Sequence, residues 1–138
     1  MDPLKMPRQK TRKGRIRILS YQEEARVVSW FRTNGRAAPR DLDMADLVVF
    51  LIDTGFRLSE ALGLLSHEVD WDTGAVPAWE TKGDLPRFVP MTSRVRAILA
   101  GRRHLERPFG TFTKDVAEDY WGEMRRGIGV KIERDPEF

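Results

Sequence analysis

Cysteine is absent from this 138-residue chain, and histidine occurs only twice, at His67 and His104. A chain without cysteine has no disulfide and no zinc site built on thiolates. The two histidines lie far apart in the sequence without ligand-like spacing, so we expect neither a metal site nor a cofactor. The longest apolar run, 47–52, is well short of the ~20 residues of a membrane-spanning helix. No signal-peptide-like segment opens the sequence. We therefore expect a single cytoplasmic domain with no membrane attachment.

The modest net charge of +3 conceals a strongly basic first segment. Residues 1–20 carry seven basic side chains and one acidic one, a net charge of +6, which leaves 17 basic and 20 acidic residues, a net charge of −3, in the rest of the chain. A basic arm on a slightly acidic body favours a polyanionic partner, DNA or RNA, bound with little sequence selectivity. The alternative is a solvated tail without a partner. The expected contacts from the arm are Lys10, Arg12, Lys13, Arg15 and Arg17.

Hydrophobic periodicity and capping signals predict a mostly helical chain after residue 19. Ser20 and Glu23 form a capping box that opens the first helix. The run 47–52 is apolar on nearly all sides, so its helix is expected at the centre of the core. Asn34-Gly35 and Thr54-Gly55 are expected to end the first and second helices. The five helices are predicted over about 21–33, 39–53, 57–64, 93–103 and 113–127.

Between the third and fourth helices the pattern changes to that of strands. Polar and apolar residues alternate over 67–71, Asp72-Thr73-Gly74 is typical of a turn, and 75–79 and 87–90 indicate returning strands. Proline at 77 and 86 favours edge or bulge positions. The sequence thus predicts an α+β fold, mostly helical, with one small three-stranded antiparallel sheet.

Arg57 is the first candidate functional residue, because it follows a Gly turn at a helix start. Apolar residues at 58, 61, 62 and 65 place this helix against the core, so the guanidinium is held by a rigid scaffold and suits a phosphate. Glu60, three residues later, lies where it can orient Arg57 or pair with it. Lys82 is the second candidate, because it lies at the tip of a hairpin within 81–90. From the residues alone, a surface ion pair between Arg57 and Glu60 and a solvated Lys82 are favoured over catalytic roles.

Two motifs together resemble the catalytic domain of the tyrosine recombinase, or phage integrase, family. Thr54-Gly55-Phe56-Arg57-Leu58-Ser59-Glu60 matches the family's first box, Thr-Gly-(Leu/Phe)-Arg-x-Ser-Glu. The hairpin box, Thr-Lys-(Gly/Asn) followed by Arg-x-Val-Pro-(Leu/Met), matches 81–91. The first box is fairly specific, the hairpin box alone is weak, and the pair at this spacing is a strong signal. The resemblance divides the chain into a linker or arm, 1–19, and the N-terminal part of the catalytic domain, 20–138.

The resemblance implies a role for each matched residue. Arg57 would grip the scissile phosphate of double-stranded DNA, Lys82 would protonate the departing 5′-oxygen, and Glu60 would support the arginine. Thr81 and Arg87 would have structural or DNA-backbone roles. In the family a tyrosine then forms a 3′-phosphotyrosyl link to DNA within a homotetrameric synapse, and neither metal nor ATP is needed. Such proteins are bacterial or phage-encoded, from phages or other mobile elements, and integrate or recombine DNA at specific sites.

The resemblance also implies that the chain stops early. The family's His-x-x-Arg-His box and nucleophilic tyrosine are expected beyond Phe138, so the fragment should be inactive alone. Tyr21 and Tyr120 are expected to pack in the core or at its boundary, and the four tryptophans in the core. An exposed apolar patch is expected where the missing helices would lie. The alternatives are a non-catalytic, truncated DNA-binding remnant and an unrelated RNA-binding or scaffolding module.

Overall fold

A computed structural model describes residues 20–33, 39–79 and 85–128. Within these ranges the chain forms five α-helices and one small sheet, so the mostly helical α+β class is confirmed. The α-helices are α1 (Tyr21–Thr33), α2 (Pro39–Thr54), α3 (Leu58–Gly63), α4 (Ser93–Ala100) and α5 (Lys114–Ile128). The strands are β1 (Ala75–Ala78) and β2 (Arg87–Pro90). No helix in these ranges has the length and apolar character needed to cross a bilayer.

The helix starts follow the local capping signals. The backbone N–H of Glu23 donates to the Ser20 hydroxyl at 3.1 Å, and the Ser20 N–H donates to the Glu23 carboxylate at 3.0 Å, which confirms the capping box. Thr92 caps α4 by accepting from the Val95 N–H at 3.2 Å. Each cap satisfies backbone donors that the first turn of a helix leaves unpaired.

Helix α2 lies at the centre of the core, as its apolar run predicts. It contacts each of the other four α-helices of the described chain. Residues 47–51 are all buried, and the Phe50 ring lies 4.9 Å from the Phe56 ring and 5.2 Å from the Phe109 ring, measured between centroids. Aromatic pairs at such spacings stabilise a core beyond the area they bury. Because Phe56 immediately precedes Arg57, the packing of Phe56 in this cluster attaches the backbone at Arg57 to the most buried part of the fold.

The sheet has two strands in the described chain, so the prediction of three is wrong. Strands β1 and β2 pair antiparallel, with Val76 opposite Val89 and Ala78 opposite Arg87. The segment expected as a first strand forms a 3₁₀ turn at Ser66–Glu68, followed by a single bridge between Asp70 and Ala75.

The physical reason lies in the turn that begins at Asp70. Its carboxylate accepts the N–H groups of Asp72 and Thr73, both at 3.1 Å, and its carbonyl accepts the Gly74 N–H at 2.8 Å. The hydrogen bond from the Thr73 backbone holds the pKa of Asp70 below its ordinary value. Gly74 adopts the left-handed conformation that this reversal requires, with φ of 74°. The chain therefore turns back after one paired residue, before a strand can extend.

Candidate functional site

The turn between α2 and α3 has a fixed shape. The Thr54 hydroxyl donates to the Phe50 carbonyl at 2.6 Å and accepts the Phe56 N–H at 3.2 Å. Gly55 has φ of 75°, a conformation that L side chains rarely adopt, and its N–H closes α2 on the Leu51 carbonyl at 2.9 Å. The predicted stop at Thr54-Gly55 is thereby confirmed. Arg57 follows directly after these hydrogen-bonded residues, so the position of its backbone is fixed by the turn.

Arg57 is the N-cap of α3 and has extended backbone angles, φ −78° and ψ 156°. Its side chain is exposed. Other arginines of the described chain pair with a carboxylate, among them Arg32, Arg87, Arg94 and Arg102. Among the described residues no carboxylate pairs with the Arg57 guanidinium. A guanidinium presents its N–H groups in a rigid planar fork, so Arg57 offers an oxyanion a bidentate contact from a fixed base.

Glu60 lies directly beneath this turn and is almost fully enclosed, with 5% of its side chain exposed. Its carboxylate accepts the backbone N–H of Arg57 at 2.8 Å. The sequence leaves open whether Glu60 orients Arg57 or pairs with it. In the structure it holds the backbone of Arg57 and pairs with the guanidinium of Arg87.

Arg87 links strand β2 to the turn formed by residues 54–57, called the Arg57 turn below. Its guanidinium meets the Glu60 carboxylate through two N–H···O contacts of 3.3 Å and reaches the Gly55 carbonyl at 3.4 Å. The same group lies 5.9 Å from the centroid of the Phe56 ring. The structure therefore brings three predicted site residues together at one place: Arg57, Glu60 and Arg87.

The remaining predicted site residues lie outside the described ranges, and their roles stay predictions. This holds for the proton donor of the hairpin, its neighbouring threonine and the five basic residues of the arm: Lys82, Thr81, Lys10, Arg12, Lys13, Arg15 and Arg17.

A second ionic cluster, which the sequence did not predict, braces the end of α2 just before the turn. The Asp53 carboxylate accepts from the Thr92 hydroxyl at 2.6 Å and from Arg94 at 2.7 and 2.8 Å, and Arg94 also pairs with Glu24 at 2.6 Å. The hydrogen bonds that Arg94 donates to Asp53 lower the pKa of Asp53 and raise the pKa of Arg94. These partners come from α1, α2 and α4, so no short sequence spacing signals the cluster.

Asp53 gives a pH-dependent prediction. Its folded-state pKa lies below the ordinary value of 3.8, so its stabilising effect is present above that value and is lost as the pH falls through the folded pKa. We expect Asp53→Asn to lower the free energy of unfolding at neutral pH by about 1–2 kcal/mol, and the difference from the parent to shrink in acid. Urea unfolding at a series of pH values measures both. Asp119→Asn removes an exposed carboxylate from α5 as the matched control; a difference from the parent that grew in acid would contradict the assignment.

A concave surface of about 590 Å³ lies beyond the opposite end of α3, lined in part by Ser66, His67, Arg103 and His104. The Arg103 guanidinium stacks 4.5 Å from the centroid of the Trp71 ring. Arg57 lies at the other end of α3 and is not among the residues that line this concave surface. Both histidine side chains are exposed.

The described residues contain no group of three or more histidine, aspartate or glutamate side chains placed to hold a metal ion. At the turn that carries Arg57, the geometry offers a guanidinium with no carboxylate partner among the described residues, and a carboxylate, Glu60, that holds its backbone. Comparison of the chain with protein-family models, with curated proteins and with solved structures finds no match.

Proposed function

We propose that this chain supplies the phosphate-gripping half of a tyrosine recombinase catalytic domain, which acts on double-stranded DNA. In this proposal Arg57 binds the non-bridging oxygens of the scissile phosphate, and Lys82 donates a proton to the leaving 5′-oxygen. The complete protein recombines or integrates DNA through a 3′-phosphotyrosyl intermediate within a homotetramer. The chain alone binds DNA without completing the reaction.

One observation carries the proposal: Arg57 is exposed and has no acidic partner among the described residues, while its backbone is held by an enclosed carboxylate. An arginine in a purely structural role donates its guanidinium N–H groups to carboxylates or carbonyls, as Arg87, Arg94 and Arg102 do here. A group that must accept a phosphate is instead kept rigid and open, because electrostatic stabilisation of an oxyanion depends on donors that are already in place.

Three residues of this sequence that could replace the family's later catalytic groups, one histidine and two tyrosines, do not fit those roles, which supports the expectation that the chain is inactive by itself. Its one His-x-x-Arg sequence, His104-Leu105-Glu106-Arg107, has Pro108 where the family's box has a second histidine. His104 also lines the concave surface beyond the far end of α3 from Arg57. Of the two tyrosines, Tyr21 is 91% exposed in the first turn of α1, and Tyr120 packs against Phe112 at 5.9 Å between ring centroids. Neither residue belongs to the Arg57 turn.

We expect Arg57→Ala to weaken binding of a labelled DNA duplex by about tenfold at fixed salt concentration, and to reduce the salt dependence of binding by roughly one counterion. Arg57→Lys should recover only part of the loss, because an ammonium keeps the charge without the fork. Fluorescence anisotropy measures both, with thermal unfolding to show that the variants are folded.

Arg26→Ala, which removes an exposed arginine from α1, is the matched control for net charge. Equal losses for Arg57→Ala and Arg26→Ala would mean that Arg57 contributes only general charge, and the proposal would fail. No loss for either would favour the alternative of an RNA-binding or scaffolding module.

A suicide DNA substrate, nicked so that a cleaved strand cannot be rejoined, tests the expected inactivity. We expect no covalent protein–DNA adduct on denaturing gels. A covalent adduct formed by this chain would show that it contains its own nucleophile, which contradicts the fragment and the non-catalytic DNA-binding alternative alike.

A further inference from the structure

Arg87 and the Arg57 turn are joined by contacts that the family resemblance does not assign. Two of the residues that Arg87 contacts, Gly55 and Glu60, lie on either side of Arg57 in the sequence. Arg87 itself lies on β2, opposite Ala78 of β1. A single guanidinium thus connects the hairpin with both ends of the short segment that carries Arg57.

The Glu60 carboxylate is shared between these two arginines in different ways. One oxygen accepts both the Arg57 backbone N–H, at 2.8 Å, and an Arg87 N–H, at 3.3 Å, while the other oxygen accepts a second Arg87 N–H at 3.3 Å. Such a carboxylate is constrained from two sides. If it loses the guanidinium of Arg87, its enclosed negative charge is left without that compensation, which is energetically unfavourable.

From this geometry we propose that Arg87 is a positioning residue for Arg57. It neutralises Glu60, anchors the Gly55 carbonyl and so fixes the backbone from which the Arg57 side chain extends. Arg87 does not itself bind the DNA phosphate. This inference rests on the proposed function of Arg57. Of the two roles expected for Arg87, structural or DNA-backbone contact, it selects the structural one and specifies that it acts through Glu60.

A double-mutant cycle between Arg57 and Arg87 tests whether Arg87 acts through Arg57. We expect Arg87→Met to weaken DNA binding by about fivefold, and Arg57→Ala with Arg87→Met to bind as weakly as Arg57→Ala alone, within about twofold. Arg87→Lys should resemble Arg87→Met, because a lysine cannot make the paired contacts to the carboxylate. If Arg87 instead bound phosphate directly, the two losses would multiply and Arg87→Lys would retain most of the affinity.

Amide hydrogen exchange without DNA gives a readout that does not depend on the proposed function. We expect the Arg57 amide, which donates to Glu60, to exchange about tenfold faster in Arg87→Met, while the Leu99 amide in α4 is unchanged as a control for the fold. Unchanged exchange at Arg57 together with multiplicative affinity losses would overturn the inference. Faster exchange at Arg57 in Arg87→Met, with no effect of Arg57→Ala on DNA binding, would support the positioning contact and refute only the proposed function.

Discussion

Phe50→Ala is expected to lower the free energy of unfolding by about 3–5 kcal/mol, the usual cost of truncating a fully buried aromatic residue. Phe50 has no exposed surface and lies on the central helix α2, in contact with the rings of Phe56 and Phe109. The cost has two parts, the apolar surface no longer buried and the cavity left between rings that cannot collapse fully. Against a typical total of about 5–15 kcal/mol for a domain, this loss leaves little stability.

Urea denaturation followed by tryptophan fluorescence measures the effect. Phe88→Ala is the matched control, because Phe88 is 61% exposed on β2 and its truncation should change stability by less than about 0.5 kcal/mol. If Phe50→Ala does not fold, Phe50→Leu keeps most of the volume and should cost about 1–1.5 kcal/mol. Equal effects at positions 50 and 88 would contradict the central place of α2.

The core could be predicted because its signals are local. Apolar residues at helical spacing, a capping box at Ser20 and the stop at Thr54-Gly55 each act within a few residues, and the structure confirms all of them. Helix α4 ends at Ala100, earlier than the predicted 103, because the residues after Gly101 form turns. Helix ends are set by such local competition, so their position is less certain than their existence.

The sheet was predicted with one strand too many because alternation over five residues has more than one structural cause. Residues two apart lie on the same face of a strand, yet Val69 is buried whereas His67 is exposed, because a 3₁₀ turn and a turn that begins at Asp70 occupy this segment. Packing was also overestimated for two aromatic residues. Tyr21 is 91% and Trp79 45% exposed, since the first is in the first turn of α1 and the second directly follows strand β1.

The site was predictable only where it is local. Arg57 and Glu60 are three residues apart, so their proximity follows from helical geometry. The contact between Glu60 and Arg87 spans 27 residues, and that between Asp53 and Arg94 spans 41. Polar contacts between distant segments leave no periodicity in the sequence, because any charged residue on a surface strand or helix is compatible with the local pattern. The position of Lys82 relative to Arg57 stays a prediction.

Arg102→Met is the second substitution for which we expect a large effect, a loss of about 2–3 kcal/mol in the free energy of unfolding. Arg102 is 12% exposed and donates to Asp43 at 2.8 Å, to Asp46 at 2.6 Å and to the Pro108 carbonyl at 3.3 Å. Burial alone would lower its pKa, but the hydrogen bonds to the two carboxylates raise it, so the guanidinium stays charged. Methionine fills much of the volume but removes the cation between the two carboxylates, and Asp46 keeps only its longer described contact with Arg32, at 3.7 Å.

Two comparisons separate lost charge pairing from lost packing. Arg103→Met removes the neighbouring arginine, whose guanidinium lies over the face of Trp71, and should cost less than about 1 kcal/mol. Adding Asp43→Asn and Asp46→Asn to Arg102→Met should recover part of the stability, because it removes the repulsion. A triple variant less stable than Arg102→Met alone would show that the carboxylates stabilise the fold by other contacts.

Comparing Arg102→Met with Arg57→Ala distinguishes effects on stability from effects on DNA binding. Its carboxylate partner Asp46 lies eight residues before Thr54 on α2, roughly 12 Å along the helix from the turn that carries Arg57. At temperatures where Arg102→Met is folded, we expect its affinity for DNA to match the parent within about twofold, although its unfolding temperature falls. Arg57→Ala should show the reverse, an unchanged unfolding temperature and weaker binding, because its guanidinium has no carboxylate partner among the described residues. Loss of DNA affinity in folded Arg102→Met, as large as that in Arg57→Ala, would mean that the phosphate-binding surface is not centred on the Arg57 turn.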